Sequence, residues 1–501
     1  MTQAPDTRHT TRQWVSAEVP TFAVVGKVNM GKSAVLATLL EEDDEAIIRI
    51  SSEPGETTRC QRLSLVLDGR ERLRFIDTPG FQQPVEALRI IRGMADDPQR
   101  GPGPDTLARF VAHYRNSDEF VDECRLLEPL IEGAGVLYVV DPDVPVQDGF
   151  IAEIEILRLS AGARLAVLNP HNRAGDHRAP AHADAWRSQL GQAFNLVRTF
   201  DAHAARFAAR RDLLGALNQI DERDHDHLQA TLALLDAEWA QRREDAAERI
   251  QVFLRTAIGV REHVDYADGD LPDKARREAV ATATECYYAR LSVLEREASD
   301  DLLDLYRHRH TRATAGVRMA DDLDLASDDT WRRLGLTRRQ LAVVGAAVGA
   351  GAGLSVDAST LGHTLGLGAL IGGVSGGALA YFKGDALPTL SLSIGRQGVV
   401  GGKRVTLGPP KNPNFAWVLL DSLLIRYRLI VVRPHALRGD RSLAAGGDDS
   451  VVSHLPSARQ KRLARWFKEV GRDRADDERD ADARQAIEDT LADVEAGERA
   501  V

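Results

Sequence analysis

The sequence predicts two kinds of structure in one chain of 501 residues. An α/β domain comes first, with a mostly parallel sheet and helices on both faces, because short apolar runs alternate there with polar loops and helix-forming stretches. A mainly α-helical region follows, because Ala, Leu, Arg, Glu and Asp dominate from about residue 204. That region should also contain a glycine-rich apolar hairpin and a small α+β part. We therefore predict four parts, at residues 1–203, 204–330, 331–384 and 385–501.

Composition and charge restrict the class of protein. The chain is 43% hydrophobic and 28% charged, so most of it should be globular. Its net charge of −11 argues against a general affinity for nucleic acid. Cys60, Cys124 and Cys286 are far apart and lack metal-ligand spacing, which is typical of free thiols in a reducing compartment. The first residues have no apolar core of a secretory signal, so we expect a cytoplasmic protein.

The most specific motif lies between Thr21 and Leu40. An apolar run, Phe22–Val25, precedes a GxxxxGK[ST] match, and the helix-forming run Ala34–Leu40 follows it. A phosphate-binding loop requires this order of strand, glycine loop and helix, because backbone N–H groups and a helix N-terminus then face the phosphates. We expect Lys32 to lie against the β- and γ-phosphates and Ser33 to offer its hydroxyl to Mg²⁺. The matched residues are Gly26, Lys27, Val28, Asn29, Met30, Gly31, Lys32 and Ser33.

Two further motifs follow in the order expected of a nucleotide switch. Thr57 and Thr58 lie in the polar loop SSEPGETTR, where a threonine can close on Mg²⁺ and the γ-phosphate. Hydroxyl side chains in loops more often bond their own backbone, but the position between the other two motifs favours the switch interpretation. In FIDTPGF, Asp77 ends a predicted strand and can hold Mg²⁺ through water, while Gly80 can offer its N–H to the γ-phosphate.

Together, GKVNMGKS, PGETTR and DTPGF resemble the TrmE–Era-like branch of P-loop GTPases, whose usual forms are GxPNxGKS, PGTTR and DTPG. The resemblance implies an enzyme that binds GTP and GDP and hydrolyses GTP to GDP and phosphate. It implies catalytic roles for Lys32, Thr58 and Gly80. It also implies a Mg²⁺ site made by Ser33, Thr58 and Asp77, and a nucleotide-binding role for the whole phosphate loop.

The same resemblance bears on the rate of hydrolysis. Asn29 occupies the position of the asparagine that ligates a catalytic K⁺ ion in some members. Phe81 stands where Ras-like proteins have the glutamine that orients the attacking water. The resemblance therefore implies slow intrinsic hydrolysis that needs a monovalent cation, self-association or a partner.

The base-recognition motif departs from this family. Strands are predicted at Gly135–Val140 and Leu165–Leu168, after which the family has NKxD and this chain has NPHN. Asn169 matches, but Asn172 replaces the specificity aspartate, and an amide cannot accept both N–H groups of guanine's edge as a carboxylate does. Selectivity for guanine over adenine is therefore open, and an ATPase on the same loop remains an alternative. Asp201–His203 match the base-capping loop only loosely.

Periodic apolar residues predict the helices that follow. Steps of three and four residues from Leu228 to Phe253 indicate a long amphipathic helix, and a second covers about Lys274–Tyr306. They could pack on each other as an antiparallel pair or form an intermolecular coiled coil. Within the first domain, a helix is predicted from about Leu107 to Leu130, as part of a partner-contacting insertion or a plain surface loop.

The segment Leu341–Phe382 is apolar and rich in glycine at four-residue steps, which lets helix backbones approach closely. Arginines precede it and Lys383 follows it, so a hairpin that dips into the membrane from one side fits better than a single span. A tightly packed soluble hairpin or a self-association surface is the alternative. A second hypothesis is accordingly a membrane-associated scaffold, peripheral to the inner membrane, in which nucleotide sets assembly more than turnover.

The C-terminal part should combine strands and helices. Alternation between Leu390 and Leu407 predicts a β-hairpin, and Phe415–Val432 predicts a buried helix and strand. Ser457–Gly471 is a basic amphipathic helix that could lie on a membrane or dock on the protein's own body. The run from about Asp473 predicts a solvated helix or tail. This order of parts is similar to that of bacterial GTPases with a C-terminal domain of unknown function.

Overall fold

The computed structural model divides the chain into two compact units. The first comprises Met1–Trp239 with Arg433–Arg438, and the second comprises Ala240–Val432 with Gly439–Val501. Thr57, Thr58, Asn172 and Leu341–Phe382 lie outside the described residues, so predictions about them, like the four-part division, stay predictions. The described residues are 15, 19–41, 60–96, 99, 101–170, 180–202, 205–266, 272–306, 390–396, 403–410, 415–432 and 450–499.

A six-stranded sheet forms the centre of the first unit. Its order is β2-β3-β1-β4-β5-β6; β2 and β3 are antiparallel, and all other neighbours are parallel. Because β1 and β4 are buried along their whole length, their sequences are continuous apolar runs rather than alternating ones. The strands are Thr21–Val25 (β1), Gln61–Leu67 (β2), Arg70–Asp77 (β3), Gly135–Val140 (β4), Arg164–Leu168 (β5) and Leu196–Thr199 (β6).

Helices cover both faces of this sheet. Alternate residues of β1 point to opposite faces, so Phe22 and Val24 join one apolar cluster while Ala23 and Val25 join the other. The predicted α/β architecture is confirmed. The helices are Lys32–Leu40 (α1), Pro84–Gly93 (α2), Pro104–Tyr114 (α3), Val121–Ile131 (α4), Asp148–Arg158 (α5), Ala183–Leu190 (α6), Phe207–Ile220 (α7) and His225–Gly259 (α8), the last of which continues into the second unit.

The single helix predicted from about Leu107 to Leu130 is wrong, because α3 and α4 are separate helices. Ser117 forms a local turn in which its hydroxyl accepts a hydrogen bond from the N–H of Glu119 at 3.1 Å. Phe120 then adopts a left-handed conformation with φ 54°, which no continuous helix contains. The Phe120 ring packs against Phe110, with ring centroids 5.5 Å apart, and this contact closes the helix pair.

The second unit combines long helices with a three-stranded antiparallel sheet of order β7-β9-β8. The predicted hairpin is present as β8 and β9, whereas β7, which lies between α8 and α9 in the chain, was not predicted. The long helices predicted from Leu228 and from Lys274 are confirmed as α8 and α9. The remaining elements are Glu262–Tyr266 (β7), Pro272–Leu305 (α9), Leu390–Arg396 (β8), Lys403–Pro410 (β9), Phe415–Val432 (α10), Ser457–Val470 (α11) and Asp477–Arg499 (α12).

Two predictions for the C-terminal part need correction. Phe415–Val432 is one helix instead of a helix and a strand. The final acidic run is not solvated throughout, because α12 buries a stripe that contains Ala483, Ile487 and Leu491. The apolar side of α11 is also buried, as predicted for docking on the protein's own body.

Helix α10 is largely apolar, and the arginine that it buries is paired. Arg426 forms a buried ion pair with Glu295 of α9, and the Ser422 hydroxyl donates to the same carboxylate at 2.7 Å. Buried charges persist when they are paired and hydrogen-bonded in this way. Among the described residues, no helix is both long and apolar enough to cross a membrane.

Candidate nucleotide-binding site

The phosphate loop leaves the carboxyl end of β1 in a conformation that its glycines permit. Gly26 has φ +154°, and a Cβ atom there would lie 2.3 Å from the backbone oxygen of Val139 in β4. Asn29 and Gly31 adopt left-handed conformations, with φ 66° and 82°, which asparagine and glycine tolerate best. The chain therefore turns tightly before α1 begins at Lys32.

Lys32 lies inside this loop. Its ammonium group is buried and donates to the backbone oxygen of Gly26 at 2.7 Å and to that of Lys27 at 3.5 Å. Burial lowers the pKa of Lys32, while the nearby carboxylates of Asp77 and Glu153 act in the opposite direction. An ammonium that donates to carbonyl oxygens can exchange them for phosphate oxygens, which are stronger acceptors.

The segment after β3 lies against the phosphate loop. Asp77 is buried at the carboxyl end of β3, in register with Val24 of β1. The Thr78 hydroxyl donates to the backbone oxygen of Val24 at 2.8 Å and so fixes the direction of the chain. Gly80 is close enough that an added Cβ atom would lie 3.2 Å from the backbone oxygen of Gly26. The structure thus brings Asp77 and Gly80 to the loop that contains Lys32.

The residues shortly after Gly80 are held by a carboxylate that the sequence analysis did not single out. Glu123 of α4 is 1% exposed, and its Oε1 atom accepts hydrogen bonds from the N–H groups of Gln82 and Gln83 at 2.8 and 2.6 Å. Phe81, between Gly80 and these residues, is buried. The partners of Glu123 are about 40 residues earlier in the chain, so no local pattern reveals the contact.

A second unpredicted carboxylate lies beneath the loop. Glu153 of α5 is fully buried, accepts a hydrogen bond from the Tyr138 hydroxyl at 2.8 Å and lies 3.7 Å from the ammonium of Lys27. That ammonium also lies 3.9 Å from the centroid of the Phe150 ring, in a cation–π contact. Burial raises the pKa of Glu153 to about 7, although Tyr138 and Lys27 favour its charged form. Lys27 is therefore tied to α5, and not directed only to solvent.

Asn169 connects three parts of the site. Its amide donates to the backbone oxygen of Met30 at 3.4 Å, and its side-chain oxygen accepts from the N–H of Ala202 at 3.0 Å. Met30 belongs to the phosphate loop, and Ala202 belongs to the segment compared above with the base-capping loop. The Met30 sulfur also accepts from the N–H of Asp141 at 3.3 Å. Asn169 thus fixes the distance between the phosphate loop and the segment after β6.

Comparison with protein families gives two matches. Residues 187–493 match the family described as "Domain of unknown function (DUF3482)". Residues 21–158 match the family described as "50S ribosome-binding GTPase". The second match covers the phosphate loop, the segment after β3 and α5.

Curated relatives match over a short stretch. "Probable GTP-binding protein EngB" of Bacillus cereus (strain B4264) is 35% identical over 69 residues, which are 14% of this chain and 32% of that protein. The protein of the same name from Bacillus cytotoxicus is 33% identical over 69 residues, with the same two shares. The chain therefore spans about a third of the length of the curated relatives that it matches.

Solved structures match more loosely. A variant of Era from Aquifex aeolicus bound to GDP and AlF4⁻ is 16% identical, with a TM-score of 0.24, over 50% of this chain and 74% of that chain. Era in complex with MgGDPNP and a fragment of 16S ribosomal RNA is 16% identical, with a TM-score of 0.25 and the same shares. A variant of the protein SsGBP is 18% identical, with a TM-score of 0.23, over 43% and 57%.

Proposed function

The chain belongs to the DUF3482 family and carries a P-loop GTPase domain at its N-terminal end, and from that premise we propose that it binds GTP with Mg²⁺ and hydrolyses it slowly. The products are GDP and phosphate, and the cycle acts as a conformational switch of the TrmE–Era-like type. The observation that carries this proposal is the placement of Lys32. Its ammonium lies in a left-handed glycine loop that Gly80 contacts and near Asp77.

The residues of the loop would hold the triphosphate as follows. Lys32 exchanges the Gly26 carbonyl for phosphate oxygens, and the backbone N–H groups at the start of α1 face the same oxygens. Ser33 and Asp77 offer a hydroxyl and a carboxylate, the hard oxygen donors that suit Mg²⁺, and Thr58 would complete the set. The ion would neutralise charge on the β- and γ-phosphates.

Slow turnover follows from the residue after Gly80. Phe81 is buried and apolar, so its side chain cannot orient an attacking water as a glutamine does. Asn29 adopts a left-handed conformation on the loop, and we propose that it ligates K⁺ when this ion accelerates hydrolysis. Phosphate release by the full chain should accordingly be faster in K⁺ than in Na⁺ of equal ionic strength. Equal rates in the two salts would remove Asn29 and K⁺ from the proposal.

Competition between GTP and ATP tests which base the site prefers. Asn169 is engaged by Met30 and Ala202, and Asn172 stands where a carboxylate would pair with guanine, so selectivity should be weaker than in a GTPase with an aspartate there. Unlabelled GTP and ATP would be titrated against a fluorescent GDP bound to the full chain in Mg²⁺. Displacement by GTP at lower concentration supports a GTPase. Displacement by ATP at lower concentration contradicts it and favours the ATPase alternative.

Membrane association is a separate proposal that rests on sequence alone. The glycine spacing and flanking positive charges of Leu341–Phe382 favour a nucleotide-regulated scaffold at a membrane surface. Flotation of the full chain with anionic liposomes would test it, with a deletion of this segment as control. A full chain that stays with the soluble fraction, with and without nucleotide, would exclude the scaffold.

A further inference from the structure

Helix α4 contacts the nucleotide-sensing segment that follows β3. Glu123 accepts the N–H groups of Gln82 and Gln83, two and three residues after Gly80. Gln83 is the N-cap of α2, and Pro84 at the first helical position has no N–H to satisfy. The carboxylate thus binds free donors at a helix N-terminus, where the helix dipole also favours negative charge.

The same helix also contacts Cys60, the residue just before β2. Pro129 lies inside α4 and has no N–H, so it cannot bond the backbone oxygen of Arg125 one turn earlier. The Cys60 thiol donates to that oxygen at 3.2 Å. Burial raises the pKa of Cys60 to about 12, so the thiol keeps the proton that it donates.

These two contacts join one helix to the residue before β2 and to the segment after β3. Cys60 immediately precedes β2, and Gln82 lies two residues after Gly80. Both contacts are made by neighbouring residues of α4, Glu123 and Arg125. A movement of the segment after Gly80 on binding or losing a γ-phosphate would therefore reach the turn of α4 that also contacts Cys60.

We propose that Glu123 of α4 is a positioning residue, which holds Gly80 in place to receive the γ-phosphate. This inference rests on the proposed function, because it concerns the same site. Glu123 fixes the N–H groups just beyond Gly80, so the N–H of Gly80 is oriented before the nucleotide arrives and less ordering is needed on binding. GDP lacks the γ-phosphate and does not use Gly80, so its affinity should not depend on Glu123.

The test compares two nucleotides on the full chain. Dissociation constants for GTPγS and GDP would be measured by calorimetry in Mg²⁺ for wild type, Glu123→Ala, Glu123→Gln and the control Glu128→Gln. Glu128 is on the same helix but pairs with Arg115, 3.4 Å away. Circular dichroism would establish that each variant is folded.

We expect Glu123→Ala to lower the affinity for GTPγS by about tenfold and to leave the affinity for GDP within about twofold of the wild-type value. Glu123→Gln should lower only the affinity for GTPγS, by about threefold. The loss is smaller because the amide oxygen of Gln still accepts the two N–H groups. Glu128→Gln should bind both nucleotides as wild type does.

Two results would overturn the inference. An equal loss of affinity for GTPγS and GDP would show that Glu123 has a general structural role. Unchanged affinities would show that Glu123 has no role in nucleotide binding. If Glu123→Ala does not fold, the pattern in Glu123→Gln decides between the same results. A wild-type chain that binds neither nucleotide would overturn the proposed function itself, which distinguishes that failure from a failure at α4.

Discussion

Glu153 shows how one buried side chain couples the phosphate loop to pH. Its pKa rises from 4.5 to about 7 in the folded chain, mainly because burial disfavours the charged form. The folded state therefore holds this proton more tightly than the unfolded state. The resulting stabilisation is complete below the unfolded pKa and is lost as pH rises through about 7.

We accordingly expect Glu153→Gln, which has no proton to lose, to weaken the fall in stability of the first unit between about pH 5 and about pH 8. Melting temperatures at the two pH values measure this. Glu155→Gln is the matched control, because Glu155 lies on the same helix and pairs at the surface with Arg92. Identical pH profiles for wild type and Glu153→Gln would contradict this account of the buried carboxyl.

Gly26 is the position in the loop where a single methyl group has the largest steric consequence. Gly26→Ala would place a Cβ atom 2.3 Å from the backbone oxygen of Val139 and force a side chain into a left-handed φ. We expect a loss of about 2–4 kcal/mol in stability and loss of nucleotide binding. Gly215→Ala, in the open interior of α7, is the control and should stabilise by about 0.5–1 kcal/mol. Equal melting temperatures for the two variants would refute the steric argument.

At the scale of elements, the sequence predicts what depends on local patterns. The strand, loop and helix from Thr21 to Leu40 are confirmed, because apolar runs and glycines act on their own neighbours. Strand β7 was missed because its sequence, EHVDY, is polar and its partner β9 is about 140 residues later. The break between α3 and α4 was missed because Phe120, an aromatic residue, takes a left-handed conformation.

The residues of the candidate site fall into the same two groups: those that local sequence motifs predict, and those that only the fold brings together. Lys32, Asp77 and Gly80 carry sequence motifs and lie together in the structure. Glu123 and Glu153 carry no motif, because each acts through a partner that only the fold brings near. In the sequence, each of them is a carboxylate within a largely apolar helix, and an ordinary surface-facing acidic residue shows the same pattern.

Helix α10 provides a prediction for the second unit. Arg426→Leu would leave Glu295 buried without its ion-pair partner, and breaking such a pair costs about 3–5 kcal/mol. Adding Glu295→Leu removes the stranded charge and should restore most of that stability. Chemical denaturation of the full chain measures both variants. A double variant no more stable than Arg426→Leu would show that the pair does not stabilise α10 in this way.

At the scale of the whole molecule, the chain joins a domain with recognisable chemistry to a family without a described activity. The matches to the two families, at residues 21–158 and 187–493, do not overlap, so they describe different regions. We propose that the presence or absence of a γ-phosphate in the first unit is the signal passed to the second unit. Whether the second unit responds can be measured once binding is established.

The most direct test of the central claim is calorimetric titration of the full chain with GTPγS in Mg²⁺. Wild type should bind one nucleotide per chain, and Lys32→Ala should bind it about tenfold to a hundredfold more weakly, because a charge-assisted bond to phosphate is lost. Lys274→Ala, which removes an exposed lysine of α9, should bind as wild type does. No heat with wild type, or equal affinity in wild type and Lys32→Ala, would contradict the account.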